Sequence, residues 1–72
     1  MKVSQLLKVM DKTDWVSVFD AEKPISENLI YEGEVRCIKR DNAINGYHVT
    51  KVFAYDDIVI IEAAKPSKKG GE

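Results

Sequence analysis

Residues 47–63, YHVTKVFAYDDIVIIEA, decide the fold. Two runs rich in β-branched and aromatic residues flank Asp56-Asp57. Such runs around a short polar break predict a β-hairpin. Upstream, Trp15–Phe19 reads as a first strand, with Val16 and Val18 on one face and Trp15, Ser17 and Phe19 on the other. Leu29 to about Val35 reads as a second strand, with Leu29 and Tyr31 on one face and Gly33 as a candidate bulge. Between them Asp20–Asn28 is a loop, where Pro24 removes an amide donor and Ile25 is expected to plug the core. Segment 36–46 carries turn signals at Asp41-Asn42 and Asn45-Gly46, and Val35–Arg40 either continues the strand or forms a helical turn.

At the start of the chain, Val3, Leu6, Leu7 and Met10 fall at i, i+3, i+4 and i+7. That spacing predicts a helix over 3–10, with Ser4 as a candidate N-cap. Asp11–Asp14 is rich in residues that end helices. The order α-β-β-turn-β-β predicts an α+β domain over 1–64: one helix packed on a four-stranded, mainly antiparallel sheet. The expected core is Leu6, Leu7, Met10, Val16, Val18, Leu29, Val52, Val59 and Ile61. One short helix leaves a sheet face uncovered, and that face is the first place to look for function.

Composition narrows the functions. The 72 residues carry a net charge of −1, so no global field attracts nucleic acid or an anionic membrane. Residues 65–72 hold Lys65, Lys68, Lys69 and Glu72, a balance of +2 that leaves −3 on the body. With Pro66 and two glycines, this basic tail is expected to be mobile and dispensable for folding. The single cysteine, Cys37, excludes an internal disulfide and suits a reducing cytosol. The longest apolar run, Ile58–Ile61, is too short to span a bilayer, and residues 1–20 lack the apolar core of a secretory signal.

Chemistry-bearing residues are few. His48 is the sole histidine, and with Cys37 and one aspartate it makes a poor metal set. Cys37 and His48 lack an orienting third group at any recognisable spacing, which argues against a nucleophile–base pair. Asp56-Asp57 falls short of the spaced ligands of a calcium loop and reads as a solvated turn. The only Gly-Gly, Gly70-Gly71, is no phosphate loop. No enzyme, cofactor or metal is expected. The basic cluster Arg36, Lys39 and Arg40, with Tyr47 and His48 close behind, has the composition of a phosphate-and-stacking surface for single-stranded nucleic acid. Glu34 and Asp41 flank it, so a locally balanced, solvated loop is the simpler reading. Trp15, Phe19, Phe53 and Tyr55 read first as packing residues. If Trp15 or Tyr55 is exposed, a protein interface is preferred, because aromatics anchor interfaces.

Residues 3–11, Val16–Val18, Asp20, Ile30–Glu34 and Val49–Ile61 together resemble a group of small prophage proteins. These are encoded in Firmicute genomes and their phages and are mostly of unassigned function. The shared pattern is a short helix ending in Asp, a Tyr-x-Gly strand (here Tyr31-Glu32-Gly33) and a final hairpin with an acidic turn; it covers about residues 3–62. The resemblance implies a cytosolic phage or prophage accessory protein and carries over no functional residues. The expected activity is therefore stoichiometric binding to a host protein, such as a defence or gene-expression component, on whichever face of the last hairpin is left open, that of Phe53 and Tyr55 or that of Val52 and Ala54. Self-association into a homodimer would bury the same surface. The alternative is a single-stranded nucleic-acid module using the basic segment 36–48, with Arg36, Lys39, Arg40 and Tyr47 as its contacts.

Overall fold

The computed structural model describes residues 1–66. It contains a helix α1 (Val3–Leu7) and strands β1 (Trp15–Asp20), β2 (Leu29–Glu34), β3 (His48–Tyr55) and β4 (Ile58–Ala64). Single 3-10 turns occupy Ile25–Glu27, Val35–Cys37 and Ala43–Gly46. The class is α+β. The four strands form one sheet in the order β2-β1-β4-β3. The sheet is mixed: β1 and β2 are antiparallel, β3 and β4 are antiparallel, and the central β1–β4 pair is parallel. The long excursion through β2 and the 35–46 segment returns the chain to β1's other side, which makes the parallel pairing possible.

Asp56 and Asp57 join β3 to β4, both with positive φ, at 53° and 67°. Left-handed φ at both central residues is the turn that matches strand twist, and Asn-Gly or Asp-Gly is its preferred sequence. Asp57 therefore holds a conformation that glycine adopts without Cβ crowding. Asp57→Gly is expected to stabilise the fold by about 0.5–1 kcal/mol, read as a higher urea midpoint with an unchanged slope.

Helix α1 is five residues long and stops well short of Met10. Its entry is fixed at Lys2, whose backbone N–H donates to Gln5 Oε1 at 2.7 Å, so Ser4 is not the cap. The apolar stripe still points inward. Val3 is fully buried, and Leu6, Leu7 and Met10 pack against the core. Residues 1–3 also pair with the start of β3: Val49 N–H donates to Met1 O and Val3 N–H to Tyr47 O.

The core comprises Val3, Val16, Val18, Val35, Ile44, Tyr47, Ile61 and Ala63. Val59 packs at its border, whereas Leu29 and Val52 do not belong to it. Val52 pairs with Ile61 and so shares its face, but it lies on the edge strand and remains 44% exposed. A five-residue helix, roughly 7.5 Å long, does not reach that far across the sheet. Leu29 is displaced by a register shift between β1 and β2. Val18 pairs with Tyr31 and Phe19 with Leu29, so Ile30 is the extra residue. The bulge is there and not at Gly33, which pairs with Val16. It sends Ile30 and Tyr31 toward the core and Leu29 to the opposite face.

Asp20 ends β1 with its side chain buried, and its Oδ1 accepts the Glu22 amide at 2.9 Å. The carboxylate thereby turns the chain into the 21–28 loop. Ile25 is not a plug: the 3-10 turn carries it outward, leaving it 91% exposed. In segment 35–46 both 3-10 turns direct one apolar residue inward, Val35 and Ile44. The basic tail expected at 65–72 falls outside the described residues from position 67 onward. Among the described residues, no helix is long and apolar enough to cross a membrane.

Candidate functional site

The molecule is only 17 Å thick along its shortest axis, room for the sheet and one covering layer. α1 and the 35–46 segment supply that layer on the Val16/Val18/Ile61 side. The opposite face carries the alternate residues of every strand. Cross-strand register arranges them in rows. Phe53 pairs with Ile60, and Ile60 with Ser17, which pairs with Glu32. Tyr55 pairs with Ile58, and Trp15, paired with Glu34, lies at the same end of the sheet. Lys51 pairs with Glu62, Glu62 with Phe19, and Phe19 with Leu29.

The exposed aromatics of this face lie on edge strand β3 and at the start of β1, whereas Ser17 at its centre is buried among its larger neighbours. Trp15 is 45% exposed, Phe53 41% and Tyr55 70%. Phe19, Phe53, Ile60 and the out-turned Ile25 surround a shallow depression of about 300 Å³. Lys51 Nζ lies 5.4 Å from the Phe53 ring centroid, covering part of the aromatic surface with a cation. Carboxylates dominate the margin: Glu32 and Glu34 along β2, and Asp56 and Asp57 at the hairpin tip. Glu34 is engaged, accepting the Arg36 Nε–H at 2.7 Å. That bond and the neighbouring carboxylate hold the Arg36 pKa above its ordinary value.

The five residues singled out from sequence do not form one site. Tyr55 belongs to the open face. Arg36 and Arg40 line a different surface, a cleft on the helix side of the sheet. Lys39 is exposed beside them but is not part of that lining. Tyr47 is buried in the core, closing the Ala43–Gly46 turn through its N–H to Ile44 O. It offers no stacking surface to a nucleobase, which removes the aromatic half of the expected nucleic-acid site. Its burial follows from its neighbours: residues 1–3 pair with the backbone on either side of it, and Val3 shares its core cluster.

Two lysines of the same cleft, Lys8 and Lys12, were not legible beside Arg36 and Arg40, since about 24 residues of chain separate them. A backbone bond from Arg36 N–H to Lys12 O brings the two segments together. Cys37 and His48 are both exposed, His48 at the bridge to Lys2. Among the described residues, no three His, Cys, Asp or Glu side chains gather closely enough to hold a metal ion. Compared with protein-family models, curated proteins and solved structures, the chain matches none.

Proposed function

We propose that this chain is a small non-enzymatic binding protein that docks a partner protein on the open face of its sheet. The observation that carries the reading is the exposure of Trp15, Phe53 and Tyr55 on one face that has no covering layer among the described residues. Large rigid aromatics provide contact area at little entropic cost, and they dominate the energetics of protein interfaces. The acidic margin favours a partner whose own apolar patch is rimmed by cations. A second copy is a poorer occupant, since like-charged margins meet when the face packs on itself. The resemblance to prophage proteins supports the setting: an accessory protein that binds and modulates a host protein in the bacterial cytosol. The lower part of β3 adds a further contact element, because among the described residues its outer edge beyond Val49 has no strand neighbour.

The test uses a partner recovered from Firmicute lysate and then titrated against the pure chain. Tyr55→Ala is expected to weaken that binary complex by about 30-fold or more, the loss of one interface anchor. The paired variant Arg36→Gln/Arg40→Gln is expected to bind within a few-fold of the parent. The opposite pattern, with steep salt dependence, transfers the function to the basic side of the molecule. Sedimentation of the chain alone that shows a dimer lost on Tyr55→Ala assigns the face to a second copy instead. Activity at levels far below those of the target defeats a stoichiometric mechanism.

A further inference from the structure

We propose that the cleft between α1 and the 35–45 segment binds a small anion bearing two or more phosphate groups, of the nucleoside di- or triphosphate class. The site is independent of the sheet face and lies on the other side of the molecule. Its volume is about 590 Å³, within the range of small-molecule pockets. Among the described residues four cations line it: Lys8 from just after α1, Lys12 from the following turn, and Arg36 and Arg40 from the 35–45 segment. Among the described residues no carboxylate lines it. In a chain of net charge −1, that segregation concentrates positive field in one concave place.

The cations are also available. Among the described residues the only ion pair is Arg36 Nε to Glu34 Oε1. It engages one edge of the guanidinium and leaves the terminal nitrogens to act on a ligand. Lys8, Lys12 and Arg40 have no carboxylate within pairing distance among the described residues.

The backbone holding these side chains is tied from several directions. Val35 N–H donates to Asp14 O and Arg36 N–H to Lys12 O, each at 2.9 Å, which sets Lys12 beside Arg36. Asn45 Nδ2 donates to the carbonyls of Lys39 and Arg40 at 2.9 and 3.0 Å, which closes the loop that presents Arg40. Asn42 Oδ1 accepts the Ile44 amide, fixing the turn below. Such a frame limits the ordering cost of binding.

The lining selects the ligand class. Guanidinium groups engage phosphate oxygens through directional hydrogen bonds, and lysines add point charge. Leu7, Val35 and Ile38 supply an apolar wall for the part of the ligand that bears no charge. No aromatic side chain lines the cleft, so the base stacking that holds single-stranded nucleic acid is absent. A compact polyphosphate fits this arrangement better than a strand.

The experiment is an amide NMR titration of the full chain at low salt with ATP, inorganic tripolyphosphate, adenosine and an oligothymidylate. ATP and tripolyphosphate are expected to shift the amides around 8, 12, 36, 40 and 45 at a common site, with adenosine alone silent. Lys12→Gln/Arg40→Gln is expected to raise the tripolyphosphate Kd by about tenfold or more, through loss of two charge-assisted contacts. Lys23→Gln/Lys51→Gln, at cations outside the cleft, is expected to leave it unchanged. The proposal is overturned if tripolyphosphate shifts no cleft amide, if the control pair weakens binding as much as the cleft pair, or if only the oligothymidylate binds. Should the cleft variant lose its folded spectrum, the location of the shifts in the unsubstituted chain decides. No partner protein enters this assay, so its outcome is separate from that of the sheet-face reading.

Discussion

Ile61→Ala is expected to lower unfolding stability by about 2–5 kcal/mol, measured as a large fall in the urea midpoint. Ile61 is fully buried in β4, a central strand, between Val18 on β1 and Val52 on β3. Removing its outer carbons leaves a void in a core whose other members are mostly valines and alanine. These are short side chains that cannot lean in to fill it. A domain of this size has a total stability of about 4–11 kcal/mol, so the variant approaches the limit of folding. Ile60→Ala is the matched control. It removes the same atoms one residue earlier, on the open face, where Ile60 is only partly buried. Its expected cost is clearly smaller. Equal or reversed costs mean that the sheet presents its other face to α1, and the placement of the aromatic surface fails with it.

That one-residue distinction marks where the sequence stopped being readable. Ile58–Ile61 is apolar at every position, so alternation cannot say which members face the core. Register decides it, through the parallel pairing of β4 with β1. The parallel pairing was itself invisible, because local pattern reports strands and not their neighbours. The clean alternation of Val16 and Val18 was legible and those two residues are fully buried. Leu29 was misplaced because the bulge at Ile30 breaks the period of two, and no residue type there announces it. Val3, Leu6, Leu7 and Met10 were legible as an inward stripe even though the regular helix ends at Leu7. The open face followed from counting: one short helix against a four-stranded sheet. Its particular residues did not follow. The cleft was half legible, since Arg36 and Arg40 were visible as a cluster but Lys8 and Lys12 join them only through the fold.

Gly33→Val is expected to cost about 2–4 kcal/mol, combining backbone strain with a lost hydrogen bond. Gly33 has φ of +155°, a conformation that L side chains rarely adopt, and a β-branched one least of all. A Cβ at this position also meets the Tyr31 hydroxyl at 2.8 Å. The Tyr31 ring lies over the glycine, and its O–H donates to Glu34 O at 2.7 Å. Burial, helped by the nearby Cys37 and Glu34, raises the Tyr31 pKa above its ordinary value. The ring can swing aside to admit a side chain, but only by giving up its bond to the last carbonyl of β2. Tyr31→Phe separates the two causes. Alone it removes the hydrogen bond and is expected to cost about 1 kcal/mol. In its background Gly33→Val meets no hydroxyl, and its expected cost falls toward the backbone strain alone. A double-mutant cycle by urea unfolding measures that difference. Coupling of about 1 kcal/mol assigns Tyr31 the role of a lock over the glycine. Zero coupling removes the hydroxyl from the reasons for glycine and leaves the positive φ and the 3.3 Å approach of the ring carbon. The same lock bears on the cleft, because Glu34 O is the last carbonyl of β2 before the turn that carries Arg36. The Tyr31→Phe chain, still folded, is therefore expected to bind tripolyphosphate more weakly than the parent without having lost any cation.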